Sequence, residues 1–427
     1  MKHTYFLIGL AAILMAGCQG RAVKVDSLKV EMQENPVGVG TPTPRFSWQI
    51  TSSVQDIHQK AYRIQVARSE QDLKKETNLL WDSGDVPNDE SVLIPYEGEA
   101  LLSREVYYWR VKAITNQGET AWSKTGHWSM ALLNASEWQA KWIGEDTLSN
   151  PGETGRGDTR LAARYLRKPF ESAKRVKRAV LYISGLGAYE AYINGQRVSD
   201  DILAPTVSWY PERVYYNVHD VTRLMWKNDN LLAVKLGNGR YFGMRESDTQ
   251  VFGLPRLLAQ LEIEYTDGTR EMVVSDESWE VTSKGPVVAN NEFDGEEYDA
   301  RKELPLWNLI RDDTAWKQAD IMAAPGGTLT AQPNPNIRIQ EELTPVSITG
   351  LPGGNFILDM GQNMVGWIAI NRLKAKKEQP ITLRFAETLN PDGTLYMANL
   401  RGAKVTDIYT LSFYVRKKGT LRIRFKY

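Results

Sequence analysis

The sequence predicts an all-β protein built of tandem β-sandwiches. Three observations carry that expectation: apolar and polar residues alternate with period two in run after run, turn dipeptides separate the runs, and helical patterns are few and short. Tyr62, Ile64 and Val66 alternate with Arg63 and Gln65, and Trp109, Val111 and Ala113 with Arg110 and Lys112. Leu261, Ile263 and Tyr265 alternate with Glu262 and Glu264, and Ile381, Leu383 and Phe385 with Thr382 and Arg384. Period two places each apolar set on one face of a half-buried strand. Asn194-Gly195, Asp267-Gly268 and Asp392-Gly393 favour the positive φ angles of tight hairpins. Ser69 to Glu76 is expected to form one or two helical turns opened by a Ser cap.

Taken in chain order, residues 1–17 read as an export signal. Lys2 supplies a positive start, and Tyr5 to Met15 is apolar but too short, at about eleven residues, to span a bilayer. Ala16-Gly17 then precede the lone Cys18. This resembles a bacterial lipoprotein signal cleaved before Cys18, whose thiol is lipidated. The resemblance implies an exported, membrane-anchored lipoprotein on the periplasmic or cell-surface side of the outer membrane. A plain signal peptide with an incidental Cys is the alternative. Residues 18–133 hold short strands at regular spacing, enough for one sandwich of roughly 100 residues. Residues 134–325 open with a connector, Asn134 to Gly157, in which Trp138 to Gly144 is expected to be a strand. A second body follows from about Leu161 to Ala324. Pro325-Gly326-Gly327 and Pro333-Asn334-Pro335 break the chain again. Residues 326–427 begin a third sandwich that ends on the strand pattern Thr420 to Tyr427. A sandwich needs facing strands to bury both inner surfaces, so this body reads as incomplete.

Composition narrows the function. The 427 residues carry 52 Lys+Arg against 52 Asp+Glu. That balance argues against nucleic acid as a partner, because phosphate-binding surfaces usually leave a basic excess. One Cys allows no intrachain disulfide and no Cys-based zinc site, and four His make a multi-His metal centre improbable. There is no Gly-x-Ser-x-Gly elbow, no phosphate-cradling loop with a following Lys, and no His-Glu-x-x-His. Ser184-Gly185-Leu186-Gly187 reads as a bend where backbone packs closely. Acid/base work on a glycosidic bond needs two carboxyl groups. The acidic groups that attract notice are Glu297 and Asp299 within Gly295 to Arg301, Glu387, and Asp359. Structural ion pairs are the competing reading of each. Trp209, Tyr210, Tyr241, Phe242 and Trp367 offer flat apolar rings for the C–H faces of sugars, with core packing as the competing reading.

An ordered series of motifs then resembles the N-terminal part of bacterial α-L-rhamnosidases of glycoside hydrolase family 78. Asn35 to Gly38, Pro44 to Trp48, Trp81 to Gly84 and Tyr108 to Val111 are similar to the family's leading fibronectin-type sandwich. Gly185 to Gly195, Leu236 to Tyr241 and Gly295 to Arg301 are similar to its second, jelly-roll-like domain. Asp359 to Trp367, Leu383 to Leu389 and Asn399 to Lys404 are similar to its third, lectin-like domain. The resemblance implies hydrolysis of terminal α-L-rhamnose from rhamnosides with inversion, on rhamnose-containing plant or microbial glycans, and with no cofactor. It also implies that catalysis belongs to an α/α barrel whose Asp-Cys-Pro motif is absent here, so no catalytic residue is expected in this chain. Glu297, Asp299 and Glu387 become candidate acidic contacts to such a barrel. Trp209, Tyr210, Tyr241 and Trp367 become candidate carbohydrate contacts. Some relatives bind calcium in an accessory rhamnose-binding sandwich; no ligand set for it is placed here, and Asn228-Asp229-Asn230 reads better as a turn. A non-catalytic carbohydrate-binding lipoprotein is the alternative function.

Overall fold

The period-two patterns become strands. The computed structural model describes residues 23–147, 160–242, 252–309, 316–370, 378–412 and 423–424. Cys18 lies outside the described residues. The chain forms two compact units, Met1–Met130 and Ala131–Tyr427. Among the described residues no helix is long and apolar enough to cross a membrane.

In the first unit, Lys24–Val30, Arg45–Thr51 and Ile94–Pro95 form one sheet. Val37–Val39, Gly126–Met130, Val106–Thr115, Gln59–Ala67 and Leu79–Asp82 line up in that order in the other, with Gly118–Glu119 paired to Val106–Thr115. The strand Val106–Thr115 alternates strictly between buried and half-buried residues, as its sequence predicts. Its Trp109 packs on Phe46 at 4.5 Å and Trp128 on the same ring at 5.5 Å, which joins the two sheets through aromatic contacts. Gln65 departs from the pattern because it is fully buried. Its Oε1 accepts from Arg110 Nε at 2.9 Å and its Nε2 donates to Asp82 at 2.9 Å, so both ends of the amide are satisfied. The expected short helix is Glu70–Lys75, capped by Ser69, whose hydroxyl accepts from the Asp72 backbone N–H at 3.0 Å.

In the second unit two sheets face each other. One runs Asp320–Ile321, Ile143–Gly144, Arg256–Tyr265, Val176–Leu186, Arg213–Asp220 and Thr328–Ala331, with Arg270–Val274 also on Arg256–Tyr265. The other runs Gln196–Arg197, Ala188–Ile193, Asn228–Gly237, Arg164–Ser172, Glu280–Thr282 and Lys317–Gln318. Leu181, Ile183, Leu261 and Ile263 from the first meet Leu166, Leu232 and Val234 from the second in one core. A third sheet, Val287–Asn291, Gly295–Asp299, Thr406–Thr410 and Pro380–Arg384, joins residues from both sides of position 325.

The connector differs from expectation: only Ile143–Gly144 is strand. Gln139 N–H donates to the Gln260 side chain at 2.8 Å and Lys141 N–H to the Ser275 carbonyl at 2.7 Å, while Trp138 sets its ring edge-on to Tyr216. Isolated bonds to a side chain and to a loop carbonyl thus replace a regular ladder before Ile143. The strand carrying Ile381 and Leu383 ends at Arg384, so Phe385 lies outside it. Asn228-Asp229-Asn230 opens a strand. The buried Asn230 amide bonds Asn194, Ser172 and Trp226.

Candidate functional site

Ser184 to Gly187 is the close-packed bend the sequence suggested. The strand Val176–Leu186 ends there and Ala188–Ile193 begins, with Gly187 at φ +136° against the Gly237 carbonyl. Beyond the bend, Ala188–Ile193 lies antiparallel to Asn228–Gly237, and the register sets Glu190 directly opposite Lys235. Their side chains pair at 3.1 Å and are mostly buried. Tyr192 donates to the same carboxylate at 2.8 Å. Burial works to lower the Lys235 pKa, but Glu190, with Tyr165, Tyr192 and Glu296, outweighs it and holds the ammonium above its ordinary value.

Glu190 and Lys235 belong to the wall of a cleft of about 410 Å³ that also takes in Arg240, Asn290, Glu292 and Glu296. The Leu236 to Tyr241 turn is clamped by Asn290, whose Oδ1 accepts from Asn238 N–H at 2.8 Å. Asn238 and Asn290 both donate to the Leu161 carbonyl, at 3.1 and 3.0 Å. The clamp sets Arg240 beside Glu292, 2.6 Å away. Glu296 is buried, and its backbone N–H donates to Asp407 at 2.8 Å across the third sheet. Three motifs far apart in sequence, Gly185 to Gly195, Leu236 to Tyr241 and Gly295 to Arg301, therefore converge on one cleft.

A polar cluster backs the opposite wall, where Ile202 to Val207 contains the cis peptide Ala204–Pro205. Buried Asp201 accepts from Asn336 at 2.8 Å and Arg338 at 3.0 Å. Tyr189 donates to Asn217 at 2.9 Å, which leaves its oxygen to accept from His219 Nε2 at 3.1 Å. Burial pushes His219 from the usual 6.5 down to about 4, against the pull of Asp201. The folded state thus prefers neutral imidazole while the unfolded chain takes the proton first. This contribution is complete above about pH 6.5 and is lost as pH falls toward 4. Urea unfolding of this unit is expected to weaken progressively over that window, and a His219→Gln chain to show a flatter pH dependence. An equally steep loss in the variant would rule His219 out as the source.

The residues singled out in the sequence do not gather at the cleft. Trp209 is 51% exposed, with one edge against Phe252. Tyr210 and Tyr241 are corrected from sugar platforms to core: they are 5% and 2% exposed and pack edge to face at 5.1 Å. Phe242 is buried too, and Trp367 is half-buried against the core of Tyr409 and Leu411. Glu297 pairs with Arg160. Asp299 caps the turn Ala300–Lys302 and pairs with Arg301 at 2.8 Å, whose hydrogen bond holds its carboxyl below the usual range. Glu387 and Asp359 are exposed. Of the cleft charges, Glu296 lay in the noted acidic group, while Glu190, Lys235, Arg240 and Glu292 were not singled out. For Glu190 and Lys235 the signal was a charge inside an apolar strand, in Ala188–Ile193 and Asn228–Gly237, where solvation alone gives no reason for it. Among the described residues no group of three or more His, Cys, Asp or Glu could hold a metal ion.

Two cations against three carboxylates, with amides between them, give the cleft both donors and acceptors and no positive excess. Hydroxyl groups, which donate and accept, match that lining better than phosphate does. Sandwich units in series, one bearing a cleft lined by both charged and apolar residues, define a modular all-β protein. Comparison with known proteins makes the assignment particular. Residues 25–134 match the Rha78A-like N-terminal immunoglobulin domain, 174–341 the alpha-L-rhamnosidase N-terminal domain, and 349–427 the bacterial alpha-L-rhamnosidase concanavalin-like domain. In all three successive domains the chain corresponds to the N-terminal portion of α-L-rhamnosidases of glycoside hydrolase family 78. It is 34% identical over 434 residues to an alpha-L-rhamnosidase of Formosa agariphila, a match covering 98% of this chain and 46% of the relative. The alpha-L-rhamnosidase structure from Dictyoglumus thermophilum superposes with a TM-score of 0.84 at 35% identity, over 95% of this chain and 46% of that one. The Streptomyces avermitilis enzyme complexed with L-rhamnose gives 0.86 at 28% identity, over 95% and 55%. The chain thus spans about half the length of these relatives.

Proposed function

We propose that this chain supplies the accessory β-domains of an α-L-rhamnosidase, a glycoside hydrolase that removes terminal α-L-rhamnose from rhamnose-containing glycans with inversion. The observation that carries the reading is the unbroken order of three rhamnosidase domain matches along one chain. Inversion needs a carboxylic acid and a carboxylate roughly 6.5–9.5 Å apart with water between them. Of the carboxylates named from the sequence, Glu297 and Asp299 are each tied to an arginine, so neither is assigned that work. The barrel that the family resemblance implies would supply the pair. The 427-residue chain alone is therefore expected to release no chromophore from an aryl α-L-rhamnoside above the buffer blank. Turnover that survives repurification would place catalysis within these domains instead.

The cleft supports a second reading, in which the domains hold a saccharide without cutting it. Glu190, Glu292 and Glu296 offer acceptors for its hydroxyl groups there, and Lys235 and Arg240 offer donors. L-Rhamnose titrated against the chain is expected to produce a saturable calorimetric signal. Arg240→Ala is expected to weaken it by about tenfold, the effect of losing one hydrogen bond to a charged group. A titration without heat, on protein that melts cooperatively, would remove this reading.

A further inference from the structure

Five residues of the cleft, Asn290, Asn291, Glu292, Gly295 and Glu296, lie on one hairpin, Val287–Asn291/Gly295–Asp299. Asn291 closes its turn: the side-chain oxygen accepts from the Phe293 and Asp294 N–H groups at 2.9 and 2.7 Å, and the side-chain amide donates to Asp294 at 2.9 Å. The first strand is tied to the sandwich, through the Ala163 N–H on the Val287 carbonyl at 3.0 Å and through the Asn290 clamp. The second strand is tied to the concanavalin-like domain. Gly295–Asp299 runs parallel to Thr406–Thr410, with Glu297 opposite Ile408 and Asp299 opposite Thr410.

The bonds across that seam run both ways. Val405 N–H donates to the Phe293 carbonyl at 3.2 Å, Thr406 N–H to the Asp294 carbonyl at 3.1 Å, and Lys404 N–H to the Asp294 carboxylate at 3.1 Å. In return the buried Asp407 carboxylate accepts from the Glu296 N–H at 2.8 Å, a charge-assisted bond. Gly295, at φ +94°, lets the strands meet, since a Cβ there would lie 2.3 Å from the Thr406 carbonyl oxygen. The seam joins a hairpin inside the 174–341 match to a strand inside the 349–427 match, and the Asn399 to Lys404 motif leads straight into it. Glu292 and Glu296 thus reach the cleft from a hairpin whose outer strand is fixed by the other domain. We propose that Asp407 is a positioning residue for the cleft: it ties the Glu296 backbone to the concanavalin-like domain, so that saccharide binding in the cleft and docking of that domain's strand form one linked equilibrium. Linkage is reciprocal, so a ligand that needs the strand in place also holds it there. The saccharide arm rests on the second reading above; the positioning arm stands without it.

Hydrogen exchange of the 427-residue chain tests positioning without any ligand. In Asp407→Ala the amides of residues 296–299 are expected to exchange about tenfold faster than in wild type, the effect of one hydrogen bond to a charged group, with those of Arg256–Tyr265 unchanged. Asp407→Asn keeps an acceptor oxygen and is expected to exchange within about threefold of wild type. L-Rhamnose is expected to bind Asp407→Ala about tenfold more weakly than wild type and Asp407→Asn, and to slow exchange at 404–410 in the wild-type chain. Should Asp407→Ala fail to melt cooperatively, wild-type exchange in low urea decides: amides of 296–299 and 406–410 are expected to open together, with one urea dependence. Unchanged exchange at 296–299 in Asp407→Ala, opening of 296–299 with Arg256–Tyr265 and apart from 406–410, or rhamnose binding that Asp407→Ala leaves intact would each overturn the proposal. A wild-type chain that takes up no rhamnose, with exchange as expected, would remove the saccharide reading alone and leave Asp407 as the residue that positions this wall.

Discussion

Glu145→Ala is expected to destabilise the second unit by about 3–5 kcal/mol, because it removes the carboxylate paired with a buried guanidinium. Arg164 lies on a central strand and is 1% exposed at the side chain, and Glu145 is 3% exposed. The two approach to 3.2 Å, and Arg164 also donates to the Ala162 carbonyl at 2.6 Å. Lys317 reaches the other carboxylate oxygen from the surface at 3.3 Å, but its own charge stays solvated when Glu145 is removed. The double change Glu145→Leu/Arg164→Met removes both charges and keeps the volume, so it is expected to recover most of the loss. Urea unfolding of the wild type, single and double variants reads this directly. A single variant within about 1 kcal/mol of wild type would mean that Arg164 finds water or another partner. The loss should be nearly independent of salt, since buried pairs are little screened.

Gly187→Ala is expected to be comparably damaging, at about 3 kcal/mol or more, and to act on the cleft as well as on stability. A Cβ there would lie 2.1 Å from the Gly237 carbonyl oxygen, a backbone atom that cannot step aside without shifting its strand. The φ of +136° adds strain of its own. Gly237 follows Leu236 and leads into the Asn238–Asn290 clamp, so a forced shift there moves Arg240 away from Glu292. Gly268→Ala is the control. It also has a positive φ, +83°, but nothing lies within 4 Å of its added Cβ, so a loss of about 1 kcal/mol is expected. Differential scanning calorimetry of the two variants separates clash from backbone strain. Equal losses would mean that φ alone decides both.

Much of the fold was legible because burial on a strand leaves a period-two record. Val106–Thr115 and the Leu261 to Tyr265 half of Arg256–Tyr265 follow it residue by residue. The record fails where a polar side chain finds a partner inside. Gln65 and Gln260 sit at positions a hydropathy pattern would give to solvent, and each is buried with its amide bonded. Trp138 to Trp142 fails for the opposite reason, since a strand was expected there while its backbone donors went one by one to a turn carbonyl, the Gln260 side chain and the Ser275 carbonyl. The aromatic candidates divided by packing: Trp209 stayed exposed while Tyr210 and Tyr241 went into the core.

By itself the sequence determined the all-β class, the hairpins at Asn194-Gly195 and Asp267-Gly268, the capped turn after Ser69, and the succession of rhamnosidase-type domains. These depend on neighbours within a few residues, or on the order of motifs along the chain. Only the tertiary structure decided that Glu190 faces Lys235, that Asn290 clamps the Leu236 to Tyr241 turn, and that Glu296 borders the same cleft. Strand register and sheet order bring together residues from 45 positions apart (Glu190 and Lys235) to 106 (Glu190 and Glu296), and no local pattern encodes which strand will be the neighbour.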